Sequence, residues 1–181
     1  LDGDELIEAT TSNRATALVG VPALWELLYR KIREQVAESH PVVGWVVDRL
    51  QEANQFLRDN AGVNIGPLAF SAVHRAFGGN LDYLVSGGAA LPEHVLEGFY
   101  GLGFDMYEGY GLTEAAPVLT VNRPDGEVTP GKVGEALPDV EIDIHDPDDD
   151  GVGEVIARGP NVMTGYLDRE EETDEALRDG W

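Results

Sequence analysis

The chain has 181 residues, 43% of them apolar, enough to bury the core of one domain or one large fragment and too many for a disordered tail. Thirty-four Asp and Glu against twelve Lys and Arg leave a formal charge of −22, which repels phosphate backbones and anionic lipid and so excludes nucleic acid and membrane surfaces as partners. With no cysteine, disulfides, thiolate metal sites and thiol nucleophiles are excluded too.

No run approaches the roughly 18 to 20 apolar residues that cross a bilayer, and Asp2, Asp4 and Glu5 stand where a signal sequence would be basic and then apolar. A soluble, cytoplasmic protein without an integral membrane segment is expected. Lys31 and Lys132 are the only lysines, a composition that fits either concentrated salt or a generally acidic proteome. His40, His74, His94 and His145 lack the spacing of a zinc site and read as surface or ordinary core residues.

In chain order, Asp4 to Ser12 predicts a short helix and Ala15 to Val21 a buried strand. Pro22 suits the first turn of a helix whose Leu24, Leu27, Leu28 and Ile32 form an apolar face. A second helix is predicted from Pro41 to about Asn60, stopped by Gly62, and a third from Pro67 to Phe77. A strand at Leu81 to Val85, a helix from Pro92 to about Tyr100 and a strand at Phe104 to Tyr107 complete a parallel, helix-flanked pattern.

Beyond Glu114 the texture changes. Alternating segments at Val140 to Ile144 and Glu154 to Arg158, separated by Gly, Pro and Asp clusters, read as antiparallel strands. The expected class is therefore α/β: a parallel sheet flanked by helices over residues 1–125, with a helical insertion at about 30–77, then a smaller β-rich subdomain over 126–181. The parallel strands and the alternating segments present open edges, so exposed apolar patches at Ala15 to Val21 and Leu81 to Val85 are expected, with self-association as one way of covering them.

Two motifs fail. Gly126 to Val133 approaches a phosphate loop but lacks the magnesium-binding hydroxyl, has Pro130 where an amide is needed, and follows no strand. Asp146, Asp148, Asp150 and Gly151 begin like a calcium loop, but Ala157 stands where the bidentate Glu should be, so a solvated hairpin turn is expected.

The chemistry lies between Ser86 and Glu114. Ser86-Gly87-Gly88-Ala89-Ala90 and Glu108-Gly109-Tyr110-Gly111-Leu112-Thr113-Glu114 each follow a predicted strand and read as glycine-rich turns at the carboxyl edge of the sheet, where ligands collect. Glycines admit a flat ligand close to the backbone, Tyr110 offers an aromatic face, Thr113 a hydroxyl for phosphate and Glu114 a hard oxygen for magnesium. On the residues alone, a nucleotide site and a pair of tight turns around a core tyrosine both remain open.

Tyr110-Gly111-Leu112-Thr113-Glu114 resembles the adenylate-binding motif of the acyl-adenylate-forming superfamily, which includes acyl-CoA synthetases, nonribosomal peptide synthetase adenylation domains and luciferase. Val21 to Trp25, Ser86 to Leu91, Gly131 to Pro138, and Gly153-Glu154-Val155 through Arg158-Gly159-Pro160 to Gly165-Tyr166 are similar to further family segments, in the family's order. The final Asp179-Gly180-Trp181 is similar to the lead-in of another. The stretch between Tyr29 and Phe77, together with Phe77 to Leu81 and Glu108 before Gly109, most resembles long-chain fatty acid–CoA ligases.

The resemblance implies ATP-dependent adenylation of a fatty acid followed by thioester formation with coenzyme A; an adenylation domain loading an amino or aryl acid onto a carrier protein, or a non-catalytic nucleotide-binding module, is the alternative. It implies that Gly87, Gly88, Ala89, Glu108, Gly109, Tyr110, Gly111 and Thr113 bind ATP or AMP, with Tyr110 stacked on adenine. Thr113 and Glu114 are the catalytic pair it implies, Glu114 as the Mg2+ ligand. It further implies that the family's phosphate loop belongs upstream of Leu1 and its ribose-binding aspartate beyond Trp181. The chain is thus expected to be an internal fragment of the large N-terminal domain, inactive by itself.

Overall fold

A computed structural model of the chain describes residues 3–39, 41–124 and 128–181. The elements run α1 (Gly3–Ser12), β1 (Ala17–Gly20), α2 (Pro22–Ser39), α3 (Pro41–Ala61), α4 (Gly66–Ala69), α5 (Ser71–Ala76), β2 (Tyr83–Ser86), α6 (Glu93–Leu102), β3 (Asp105–Gly111), a 3-10 turn (Thr113–Ala115), β4 (Val118–Val121), β5 (Glu135–Ala136), β6 (Glu141–His145), β7 (Glu154–Arg158) and α7 (Glu170–Ala176). Five strands form one sheet in the order β1-β2-β3-β4-β5, and β6 and β7 form a separate pair. Among the described residues no helix is long and apolar enough to cross a membrane.

β1, β2 and β3 are parallel, with Gly20 opposite Ser86 and Ser86 opposite Glu108 at their carboxyl ends. One face of this sheet carries the core. Leu84 and Met106 point from the strands into a cluster with Trp25 and Leu28 of α2 and Phe99 and Leu102 of α6, all 2% exposed or less. α6 forms because Glu93 favours its amino end and because Val95, Leu96, Phe99 and Leu102 repeat at helical spacing; Gly103, with φ +95°, ends it. On the other face Val19 is 73% exposed and Tyr83 43%.

Several sequence readings are refined by the structure. Ala15 to Val21 reads locally as a buried strand, but β1 is an edge strand with Val19 and Val21 exposed, the exposed apolar patch that the open-edge reading expects. The predicted helix at Pro67 to Phe77 is two short helices, broken at Phe70 (φ −111°, ψ 34°), a buried ring in the core that overrides local propensity. The Glu108 to Gly111 turn is strand: β3 runs through it, parallel to β2 as far as Glu108 and antiparallel to β4 from Gly109, with an irregularity at Tyr110 and Gly111. Gly111 serves this pairing, since a Cβ there would overlap the Pro117 carbonyl. β5 pairs with β4 and so belongs to the first sheet. α7 falls in a region read as strands; its run of Glu170, Glu171 and Glu172 suits the amino end of a helix, a signal the alternation reading passed over.

The hairpin of β6 and β7 pairs Glu141 to Arg158 and His145 to Glu154, as the alternation predicted. Its turn spends the Asp148 carboxylate on the amides of Asp150 and Val152, at 3.0 and 2.9 Å, which is the hairpin role expected for the acidic cluster. Of the phosphate-loop-like run, Asp125, Gly126 and Glu127 adjoin or open it and lie outside the described residues, as does His40. His74 is a core histidine: it stacks on Phe104 at 4.1 Å, hydrogen-bonds the Leu102 carbonyl at 2.9 Å, and burial lowers its pKa.

Candidate active site at the carboxyl edge of the sheet

The parallel strands deliver three backbone segments to one edge. Gly87 leaves β2 with its amide donating to the Gly20 carbonyl of β1 at 3.1 Å, so the loop that follows begins tied to the neighbouring strand. The chain then turns at Gly88, φ +86°, where a Cβ would stand 3.8 Å from the Val21 side chain. A Cβ on Gly87 would lie 3.5 Å from the Gly109 carbonyl oxygen, so the two glycine-bearing segments predicted from sequence do meet. Gly88, Ala89 and Tyr110 are exposed at this edge, and Tyr110 is 39% accessible.

Beyond β3 the chain enters the 3-10 turn that carries Thr113 and Glu114. Thr113 is exposed, whereas the Glu114 side chain is held: its Oε1 accepts the Tyr166 hydroxyl proton at 2.7 Å, and its carbonyl accepts the Met163 amide at 2.7 Å. Asn161 fastens the same turn by donating to the carbonyls of Ala115 and Val118 at 3.0 and 2.8 Å. The Tyr166 hydrogen bond, helped by a backbone amide, holds the Glu114 carboxyl below its ordinary range, and the carboxylate in turn pushes the Tyr166 phenol up. Asn161 and Tyr166 carry no assigned role in the sequence; the signs of them are the Gly159-Pro160 and Gly165 punctuation and the place of Gly165-Tyr166 in a family-like segment.

Glu108 sits differently from the rest of the expected nucleotide set. It is 3% exposed, its amide donates to Asn122 Oδ1 at 2.6 Å, its carbonyl accepts the Asn122 amide at 2.9 Å, and its Oε1 accepts the Leu91 amide at 3.2 Å. Its backbone and one carboxylate oxygen are thus committed inside the fold.

Among the described residues, no three His, Asp or Glu gather into a metal cage. Magnesium that arrives with a nucleotide needs only one or two carboxylates, because phosphate oxygens and waters fill the other positions. Glu114 fits that habit: it is partly accessible, kept ionised, and steadied by the Tyr166 hydroxyl on Oε1.

Residues 1–167 match the family described as AMP-binding enzyme. The chain is 32% identical over 185 residues to the long-chain-fatty-acid–CoA ligase ACSBG2 of Xenopus laevis, a match covering 93% of this chain and 24% of that protein. It is 34% identical over 183 residues to long-chain-fatty-acid–CoA ligase 6 of Rattus norvegicus, covering 93% and 25%. It thus spans about a quarter of the length of these relatives. Among solved structures, ATP-bound MatB of Rhodopseudomonas palustris superposes with a TM-score of 0.63 at 28% identity, over 99% of this chain and 29% of that one. A malonyl-CoA ligase in a ternary product complex with methylmalonyl-CoA and AMP gives 0.64 at 29% identity, over 97% and 31%. The glycine-lined sheet edge, the Tyr110 to Glu114 motif and a match over most of the chain agree: this chain belongs to the AMP-binding enzyme family.

Proposed function

We propose that this chain forms the base-and-magnesium half of the adenylation site in a long-chain fatty acid–CoA ligase. The observation that carries the reading is the convergence of Gly87 to Ala89 and Gly109 to Tyr110 at one sheet edge, with the Glu114 carboxylate steadied a few residues beyond. The identity to long-chain ligases of animals and bacteria supports the substrate class.

In this reading Gly87, Gly88 and Ala89 line the adenine through their backbone, and Tyr110 stacks on its face. Gly109 and Gly111 let β3 and β4 bring that tyrosine to the rim. The Thr113 hydroxyl donates to the phosphate, and Glu114 holds magnesium. A carboxylate oxygen of the fatty acid bonds to the α-phosphorus of ATP as the bond to the bridging oxygen breaks and pyrophosphate leaves. The thiol sulfur of coenzyme A then bonds to the acyl carbon, AMP leaves, and the thiol proton is given up to solvent or base. Magnesium bound at Glu114 would supply positive charge against the charge gathering on the departing pyrophosphate.

The test belongs in the full-length enzyme that carries this chain. Glu114→Gln keeps the shape and the acceptor for Tyr166 but removes the charge that a hard cation prefers. Fatty-acid-dependent ATP–pyrophosphate exchange at saturating magnesium should fall by about 10²-fold or more. Thr113→Ala removes one neutral hydroxyl and should cost about tenfold. Tyr110→Phe keeps the stacking face and should be milder still. Near-normal exchange in a well-folded Glu114→Gln enzyme would show that the magnesium role is wrong.

A further inference from the structure

Four buried side-chain polar atoms among the described residues have no hydrogen-bond partner: Trp25 Nε1, Ser86 Oγ, Glu108 Oε2 and Asn161 Oδ1. The first three share one place. Gly20, Ser86 and Glu108 are in register across β1, β2 and β3, so residues at these positions face the same side of the sheet. A Cβ on Gly20 would touch the Trp25 indole at 3.0 to 3.2 Å, next to the carbon that bears its N–H. Trp25, Ser86 and Glu108 are 0%, 1% and 3% exposed. A donor, a hydroxyl and a carboxylate oxygen therefore lie in a row just inside the carboxyl edge.

We infer that Trp25, Ser86 and Glu108 form a buried polar row that positions the Gly87 to Leu91 loop, with Glu108 as the residue that grips it. Buried polar groups almost always complete their hydrogen bonds, and an orphan costs more than a bond contributes. The chemistry allows one direction only. The indole N–H can only donate, Ser86 can accept from it and donate onward, and the Glu108 carboxylate can only accept. The row runs Trp25 to Ser86 to Glu108 Oε2 across enclosed water, since none of the three atoms has a direct partner. The other oxygen, Oε1, holds the Leu91 amide, and Leu91 itself is buried in the core at 5% exposure. With the Gly87 amide tied to Gly20 at the other end, the loop is pinned at both ends, and Gly88, Ala89 and Ala90 stand exposed between the pins. Glu108 thus acts through the loop, as a positioning residue. This rests on the adenylation-site reading, in which that loop receives the base.

The experiment compares Glu108→Leu, Glu108→Gln and Ser86→Ala in the full-length enzyme by amide hydrogen exchange over residues 87–91 and by kcat and KM for ATP. Leu removes both acceptors at near-equal volume. The Leu91 amide should then exchange about tenfold faster or more while β2 and β3 keep their protection, and KM for ATP should rise by about the same factor with a smaller change in kcat. Gln restores one acceptor and should recover most of both losses. Should the Leu variant not fold, Ser86→Ala breaks the row in its middle, and a smaller rise in loop exchange, of about threefold, is expected. Unchanged loop protection in a folded Leu variant, or in Ser86→Ala if Leu does not fold, would overturn the inference. Gln behaving like Leu would overturn it as well, because charge and not an acceptor would then matter. Faster loop exchange with an unaltered KM for ATP would leave the grip in place and overturn the nucleotide role of the loop.

Discussion

Glu114 and Tyr166 couple two parts of the chain that are 52 residues apart, through a single 2.7 Å hydrogen bond. The bond favours the ionised carboxylate, so the folded Glu114 titrates below its unfolded value. Its contribution is therefore present above the ordinary carboxylate range and is lost as pH falls through the lowered folded pKa. Tyr166→Phe should bring the Glu114 carboxyl back up towards its ordinary value, read as a shift in its carbon-13 titration midpoint; an unmoved midpoint would mean that the phenol does not set it. Tyr110 to Glu114 could be read from sequence because the motif is local and its residue types carry their chemistry openly. The Tyr166 contact could not, because sequence separation hides which hydroxyl meets which carboxylate. The burial of Glu108 was hidden for a related reason: only its pairing with β2 shows that it lies on the core face.

At the level of elements, α3 meets α6 through polar side chains as well as apolar ones. Gln51, Asn54, Gln55 and Arg58 donate to the carbonyls of Gly98, Gly101, Glu97 and Tyr100; Gly101 gives α3 room, since a Cβ there would meet Gln51 and Gln55, whereas Gly98 gives room to the Tyr29 ring of α2. Asn54 is fully buried; its Oδ1 also takes the Ile65 amide at 2.8 Å, so one side chain joins α3, α6 and the start of α4. Asn54→Leu keeps the branched shape, adds apolar volume, and strands the Gly101 carbonyl and the Ile65 amide. A loss of about 2–4 kcal/mol in denaturant unfolding is expected, against less than about 0.5 kcal/mol for an exposed change such as Glu34→Gln. The order of strands and helices was legible because apolar runs and Gly and Pro stops mark it. The polar seam was not, since Gln and Asn at helical spacing look like a solvated face. β3 shows the same limit: its glycines signal a turn locally, and only the partner strand β4 reveals an extended segment with close backbone contact.

Across the whole molecule, charge sets the behaviour. Ion pairs such as Arg33–Asp48, Arg49–Glu52, Arg158–Glu141 and Arg169–Glu172 lie at partly or fully exposed positions and contribute little each, while a net −22 leaves many carboxylates facing one another across solvent. Such repulsion destabilises the compact state more than the unfolded one, because folding brings the charges closer together. Salt should relieve it: the Debye length falls from about 10 Å at 0.1 M to about 3 Å at 1 M, below the spacing of most surface carboxylates. Relief of 2 kcal/mol would raise Tm by about 4–8 °C in a chain of this size. Potassium chloride is the salt to use, since sulfate would also strengthen apolar burial and mix two effects. The exposed Val19 and Val21 at the β1 edge, with Tyr83 of β2 beside them, add a second way for salt to act, by letting like-charged copies approach and cover them. Melting at several protein concentrations separates the two, because screening within one molecule is independent of concentration and association is not. A concentration-independent rise in Tm between 0.1 M and 2 M potassium chloride is the expected result; a flat or falling Tm would show that self-repulsion does not limit the stability of this fold.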